Sequence, residues 1–242
     1  METLWLTLGT ISFIAATVLF VFLMTRAPAG SRHFFIITAV ITGVAAFFYL
    51  TMTTGATATL IDGERIFYFG RYIDWVITTP LLLLDLALLA LPNWRRNIGL
   101  IGGLIALDVF MILTGLLAGS SESGFGRGFW FVVSTAAMIA LLYLVYTQLF
   151  AAAQNQPGSV QGVFRTLALL TIVLWSLYPI VWLLGTEGFS VASSTAEVFL
   201  FLILDIAAKI GFGFLLLTNR EALSQAVGGG GGGAAQASSR VR

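Results

Sequence analysis

The chain has 242 residues, of which 58% are hydrophobic and only 10% are charged, with a formal net charge of +1. A soluble domain of this size usually carries about 25% charged residues, so the composition indicates an integral membrane protein. The balanced charge gives no reason to expect nucleic acid as a partner, and the lack of cysteine excludes disulfides, thiol catalysis and thiolate metal sites.

Seven apolar runs are each long enough for a helix to cross a bilayer core of about 30 Å, which takes roughly 20 residues. The first run starts in "METLWLTLGT", which lacks the basic beginning of a cleaved signal peptide and is therefore interpreted as a spanning helix. Short polar or Gly- and Pro-containing segments separate the runs, which cover about 4–25, 33–54, 69–91, 97–118, 128–150, 164–185 and 194–218.

These runs predict an all-α membrane protein: a bundle of seven transmembrane helices in residues 1–226, surrounded by the lipid bilayer. The remainder, 227–242, is rich in glycine, alanine and serine and is predicted to be a disordered tail.

Basic residues are distributed unevenly between the two ends of the predicted bundle. The acidic residues Asp62, Glu64, Glu122 and Glu187 share one end with only two arginines. The other end receives Arg26, Arg32, His33, Arg95, Arg96, Arg165, Arg220, Arg240 and Arg242. The positive-inside rule makes the basic end cytoplasmic, so we expect a multi-pass protein of the cell membrane with its N-terminus outside and its C-terminus in the cytoplasm.

Several ionisable side chains fall inside the predicted spans. An ionised group at this depth costs at least ~2.5–3.5 kcal/mol, so each one is a functional candidate. Such groups could simply pair and join helices, but seven of them on three helices favour a pathway for charge. They are Arg71, Asp74, Asp85, Asp108, Glu197, Asp205 and Lys209.

The third span contains "RYIDWVITTPLLLLDL", in which Asp74 and Asp85 are eleven residues apart. At 100° per residue both carboxyls lie on one face, about 16 Å apart along the axis. Arg71 lies one turn outside Asp74, and Thr78 lies one turn inside it. Because Asp85 is surrounded by leucines we expect it to keep its proton, whereas Asp74 should be ionised.

The seventh span carries the single lysine of the chain in "LDIAAKIGFG". Spacings of eight and four residues put Glu197, Asp205 and Lys209 roughly on one face. Burial disfavours an ammonium and leaves a nucleophilic amine, which condenses with an aldehyde to form a Schiff base. The alternative is an Asp205–Lys209 ion pair that stabilises the helix, but it leaves the third span unexplained.

Three stretches together, "RYIDWVITTPLLLLDL", "WSLYPIVWLLGTEG" and "LDIAAKIGFG", resemble the microbial rhodopsins, and among them most closely the bacteriorhodopsin-type proton pumps. The resemblance extends over roughly residues 4–220. It implies a light-driven outward proton pump rather than an enzyme, with all-trans retinal bound covalently to Lys209 as a protonated Schiff base. It also implies a homo-oligomer, a trimer being one form, although the 55–69 connection is shorter than the pumps' hairpin loop.

The resemblance also implies roles in proton transfer. Asp74 would be the primary counterion and proton acceptor, Asp205 the second counterion, and Asp85 the cytoplasmic donor. The positions that would assist them are Thr38 beside Asp85, Thr78 bonded to Asp74, the mobile Arg71, and Glu187 and Glu197 for proton release.

The retinal pocket implied by the resemblance is mostly aromatic. Tyr49 and Tyr178 match tyrosines that brace the second counterion, and Asp108 matches a buried structural aspartate near the retinal ring. Trp130 is followed by Phe131 where bacteriorhodopsin has two adjacent tryptophans. The remaining pocket positions are Trp75, Thr79, Met111, Gly115, Ser134, Met138, Trp175, Pro179 and Trp182.

Other retinal proteins are alternatives to a proton pump. A sensory rhodopsin would keep Lys209 and Asp74 but signal through a membrane transducer. Sensors typically lack a carboxyl at the Asp85 position, and one group has a threonine where this chain has Ala208. Anion pumps replace the carboxylate at Asp74, and sodium pumps use a different set on the third span, so the sequence favours the proton pump.

Overall fold

The computed structural model describes residues 1–63, 65–91 and 93–228. Within them, seven helices are long and apolar enough to cross a membrane: α1 (Glu2–Thr25), α2 (Ala29–Thr53), α3 (Gly70–Ala90), α4 (Trp94–Ser120), α5 (Gly124–Ala153), α6 (Gly158–Leu184) and α7 (Ser194–Thr218). The prediction of seven spans is confirmed. The largest difference in boundaries is at the start of α6, which begins six residues earlier than its apolar run.

The outer surface of the bundle is apolar, unlike that of a soluble protein. Large apolar side chains such as Val18, Val132 and Ile139 are more than 60% exposed on the outer faces of their helices. The carboxyl groups of Asp74 and Asp85 are instead fully buried. Lipid solvates the apolar exterior and cannot solvate charges, which explains why the ionisable groups face the interior of the bundle.

Two of the spans contain a widened, π-helical turn. One lies in α5 at Val145–Leu149 and the other in α7 at Ile206–Gly211. Lys209 lies inside the second one. A π turn contains more residues than the 3.6 of an α-helical turn, so it rotates every side chain that follows. Such turns are frequent at functional sites.

A small antiparallel hairpin connects α2 to α3. Its strands β1 (Thr59–Ile61) and β2 (Arg65–Phe67) pair with Ile61 opposite Arg65. The turn places Asp62 at φ 55° and Gly63 at φ 74°, a region that Gly, Asn and Asp enter most easily. The sequence analysis did not predict this hairpin.

A short helix, α8 (Arg220–Gly228), follows α7 and buries Ala222, Leu223 and Ala226. The Ser159 hydroxyl, at the start of α6, donates a hydrogen bond to Gln225 Oε1 at 2.6 Å and so joins α6 to α8. The predicted boundary at 226/227 falls within α8. Most of the predicted tail, 229–242, lies outside the described residues, so its disorder stays a prediction.

Candidate functional site

Lys209 is held between two carboxylates in the centre of the bundle. Its Nζ donates to Asp74 Oδ2 on α3 and lies 3.4 Å from Asp205 Oδ1 on its own helix. All three side chains are about 1% exposed. A buried ammonium is stable here only because carboxylates lie next to it. One ammonium and two ionised carboxylates together carry a net charge of −1.

Asp205 is the better bonded of the two carboxylates. Its Oδ2 accepts from the Tyr49 hydroxyl at 2.9 Å, and its Oδ1 accepts from Trp75 Nε1 at 3.1 Å and from the Tyr178 hydroxyl at 2.8 Å. Three neutral donors stabilise the charge of Asp205 and fix its orientation. Two of them, Tyr49 and Tyr178, are the tyrosines that the resemblance places beside the second counterion.

Asp74 is less completely bonded. Its Oδ1 has no hydrogen-bond partner among the described residues. The Thr78 hydroxyl, expected at this carboxylate, instead donates to the backbone carbonyl of Asp74 at 2.8 Å. With Lys209 as its main partner and one oxygen free, Asp74 is the carboxylate better suited to receive a proton from Nζ.

On one side of this centre, a second cluster is built around Arg71. Its guanidinium lies 3.3 Å from Glu197 Oε1 and 4.0 Å from the centroid of the Phe201 ring. Glu197 Oε2 accepts from both the backbone N–H and the hydroxyl of Thr186, at 2.7 and 2.8 Å. The sequence analysis named Arg71 and Glu197 as candidates on separate spans but missed Thr186, which lies in a loop without periodicity.

Glu187 belongs to the same end of the bundle and is reached through a tyrosine. The Tyr72 hydroxyl donates to Glu187 Oε2 at 2.9 Å and accepts from Trp182 Nε1 at 2.9 Å. Burial raises the pKa of Glu187 to about 7, and the nearby charge of Glu197 adds to the shift, while Arg71 opposes it. Glu187 can therefore hold or lose a proton near neutral pH.

Asp85 lies toward the opposite end of α3 and is isolated. It is fully buried, the Thr38 hydroxyl lies 3.4 Å from its Oδ2, and its Oδ1 has no partner among the described residues. Neighbours such as Leu82 and Leu86 are also buried and apolar. The predicted Asp85–Thr38 proximity is present, and no cationic side chain pairs with Asp85 in the described part of the chain.

An apolar cavity lies between α3, α4, α5, α6 and α7. Lys209 and Asp205 line it together with nine of the predicted pocket residues: Trp75, Thr79, Met111, Gly115, Ser134, Met138, Trp175, Pro179 and Trp182. Tyr178 lines it as well. A concave site with apolar walls and a few polar groups is the usual form of a small-molecule site.

Three predicted pocket residues lie outside the cavity wall. The Tyr49 hydroxyl donates a hydrogen bond to Asp205 from outside the cavity. Asp108 accepts a hydrogen bond from the Thr79 hydroxyl at 2.7 Å. Trp130 packs on Phe129. Its neighbour Phe131 faces inward instead and stacks on Trp182, with ring centroids 4.7 Å apart. Consecutive residues of a helix point about 100° apart, and the rotation of α5 turns Phe131 rather than Trp130 toward the cavity.

The sequence analysis also missed several wall residues: Tyr72, Leu82, Ile112, Ala118, Phe131, Thr135, Phe201 and Ala208. Most are apolar side chains in apolar helices, so nothing in their sequence context distinguishes them. Tyr72 was identifiable in principle, because a phenol next to Arg71 at the N-terminal end of α3 needs a polar partner.

The arrangement can carry out reversible chemistry at one amine. Nζ lies at the edge of a mostly apolar, aromatic cavity, whose walls favour an apolar molecule over water. Carboxylates are close to Nζ on one side, while Asp85 lies three helical turns from Asp74 along α3. A proton that leaves Nζ therefore has an acceptor within hydrogen-bond distance, and a proton that returns has a separate source.

Comparison with known proteins agrees with this geometry. The family model described as bacteriorhodopsin-like protein matches residues 1–223. The chain is 39% identical to archaerhodopsin-3 of Halorubrum sodomense, over 98% of this chain and 92% of that protein. It is 43% identical to a bacteriorhodopsin of a Haloterrigena species, over 93% of this chain and 90% of that protein.

Solved structures give the same result for the fold. The thermophilic rhodopsin from Rubrobacter xylanophilus superposes with a TM-score of 0.93 at 57% identity, covering 94% of this chain and all of that one. A light-driven proton pump from Leptosphaeria maculans superposes with a TM-score of 0.85 at 30% identity, covering 93% of this chain and 96% of that one.

Proposed function

Because the chain belongs to the bacteriorhodopsin-like family, a family of multi-pass membrane proteins, we propose that it is a light-driven outward proton pump with retinal attached to Lys209. The observation that carries the proposal is the position of Nζ, which joins the apolar cavity to the Asp74 and Asp205 carboxylates. The similarity to a light-driven proton pump of known structure supports the same function.

The chemistry of the cavity lining suits retinal. Trp75, Trp175 and Trp182 supply flat walls for a conjugated chain, and the amine that would bind the aldehyde lines the same cavity. The positive charge on Nζ in the structure stands in for the charge of a protonated Schiff base. Retinal, bound as the all-trans isomer, would supply a light-driven change of shape that moves the proton-bearing nitrogen relative to its carboxylates.

Asp74 would accept the proton from Nζ. Its Oδ2 already contacts the nitrogen, and its Oδ1 is without a partner among the described residues. Asp205, held by three donors, would keep its negative charge and stabilise the site while Asp74 is neutral. Two carboxylates with unequal bonding thus divide the roles of acceptor and fixed counterion.

Release would occur at the cluster of Arg71, Glu187 and Glu197. While Asp74 is ionised, its charge attracts the Arg71 guanidinium; once Asp74 is neutral, Arg71 interacts more strongly with Glu197 and Glu187. A stronger positive field at Glu187 favours loss of its proton to the outside.

Asp85 would return a proton to Nζ. A buried carboxyl without a cationic partner is more stable when neutral, so Asp85 is a reserve of one proton inside the membrane. Thr38 holds one of its oxygens. Because Asp85 and the release cluster lie on opposite sides of Nζ along α3, each cycle would carry a proton in one direction.

The direction of pumping depends on the orientation in the membrane, which we infer from charge. The end of the bundle near Asp85 carries six exposed arginines in the described residues: Arg26, Arg32, Arg95, Arg96, Arg165 and Arg220. The positive-inside rule places this end in the cytoplasm and the release cluster outside.

The decisive experiment is illumination of cells that express the chain with added retinal, in unbuffered salt, while external pH is recorded. We expect acidification that a protonophore abolishes and that Lys209→Ala lacks. A coloured protein without any pH change would refute the pump and favour the sensory alternative, and alkalinisation would refute the outward direction.

A further inference from the structure

The hairpin between α2 and α3 directs two side chains toward the release cluster. Alternation along β2 puts Arg65 and Phe67 on the same face, while Ile66 points away and is 40% exposed. Arg65 Nη2 donates to the backbone carbonyl of Gly119, at the end of α4, at 2.9 Å. The buried Phe67 ring packs against Tyr72, with centroids 5.5 Å apart.

Gly119 brings this arginine close to the tyrosine that bonds Glu187. A Cβ at position 119 would lie 2.5 Å from the Phe67 ring and 2.9 Å from the Tyr72 hydroxyl, so only glycine allows this approach. The same hydroxyl donates to Glu187 Oε2 at 2.9 Å. The guanidinium of Arg65 is therefore linked to the carboxyl of Glu187 through the close contact between Gly119 and the Tyr72 hydroxyl.

Charged and polar groups from several elements packed around Glu187 determine how readily it loses its proton. Glu197 on α7 disfavours the charged form of Glu187, and Arg71 on α3 favours it, as does the hydrogen bond from Tyr72. Arg71 is already engaged with Glu197 at 3.3 Å. Arg65 also favours the charged form, and its Nη2 is bonded to a backbone carbonyl rather than to a carboxylate.

We propose that Arg65 is a positioning residue for proton release: anchored on Gly119, its guanidinium favours the charged form of Glu187 and so limits the pH range over which Glu187 holds a proton. This rests on the proposed function, in which Glu187 holds the proton that is released. The hairpin is then part of the release machinery, because it carries the charge that adjusts Glu187.

The test is a titration of Glu187 in the dark, in the full-length retinal-bound protein in membranes. The infrared carbonyl band of protonated Glu187, identified by its loss in Glu187→Gln, is followed against pH. In Arg65→Gln we expect the midpoint to rise by roughly half a pH unit, an approximately threefold change in proton affinity. One unit charge in partly solvated, salt-screened surroundings gives a shift of this order.

Two further variants separate charge from structure. Arg65→Lys keeps the positive charge, so its midpoint should stay close to that of the unmodified protein. Arg127→Gln removes a charge from the same end of the bundle, at the start of α5, and should leave the midpoint unchanged. An unchanged midpoint in Arg65→Gln, or an equal shift in Arg65→Lys or Arg127→Gln, would overturn the proposal. The titration needs no illumination, so it succeeds or fails independently of pumping.

Discussion

Replacing Asp85 by asparagine tests the separation between the proton source and the proton acceptor. The substitution keeps the size of the side chain and an oxygen that can accept from Thr38, 3.4 Å away, but removes the only proton that Asp85 could give. Nζ must then be reprotonated from the cytoplasm. We expect the reprotonation rate to become proportional to the proton concentration.

The magnitude follows from diffusion. An association ceiling of about 10¹⁰ M⁻¹s⁻¹ multiplied by about 10⁻⁷ M protons gives at most about 10³ s⁻¹ at pH 7, and the rate should fall tenfold for each further pH unit. The actual rate should be well below this ceiling, because buried leucines surround position 85. In the unmodified protein the rate should change little with pH while Asp85 stays protonated.

The assay is flash photolysis between pH 5 and 8, following the recovery of the protonated chromophore. Azide, a small proton carrier, should restore a fast rate in Asp85→Asn. The matched control is Asp108→Asn, an equally buried aspartate that accepts from Thr79 at 2.7 Å. The control should keep pH-independent recovery. Recovery in Asp85→Asn that is as fast and as independent of pH as in the unmodified protein would refute the donor role.

Three other predictions concern the centre and the release cluster. Asp74→Asn should abolish light-driven pH changes and shift absorption to the red, because the amide no longer stabilises the charge on Nζ; unchanged colour would contradict this. Lys209→Ala should leave added retinal unbound, so the absorption band of the bound chromophore should be absent from the spectrum. Glu187, whose pKa burial raises to about 7, binds its proton more tightly when folded, so its contribution to stability is complete below its ordinary pKa and lost as pH rises through about 7. Thermal unfolding in Glu187→Gln should therefore depend less on pH between 5 and 8.

The seven spans and the central charges were predictable because the membrane imposes simple rules. A spanning helix needs an uninterrupted apolar run, and an ionisable group inside one must have a function or a partner. Those two constraints were sufficient to single out Asp74, Asp85, Asp205 and Lys209, and the structure brings three of them together around Nζ.

Features that depend on local irregularity were not predictable in this way. The π turn at Ile206–Gly211 changes the helical phase at Lys209, which a uniform 100° per residue does not anticipate. The partners Thr186 and Arg65 lie in a loop and a hairpin, where no periodicity indicates direction. Whether Trp130 or Phe131 faces the cavity depends on the rotation of α5 by less than one residue, which the apolar pattern leaves undetermined.

The unequal surroundings of Nζ explain why transport would need light. At rest, the described residues offer Nζ the carboxylates of Asp74 and Asp205, and Asp85 is about 16 Å from Asp74 along α3, far beyond hydrogen-bond distance. Asp85 therefore makes no direct hydrogen bond to Nζ among the described residues. In the proposed pump, Asp74 would act on Glu187 and Glu197 through the charge of Arg71, which lies one helical turn from it on α3. In the proposed pump, the nitrogen would have to change position to reach the other side, and light would supply the energy that makes this movement directional.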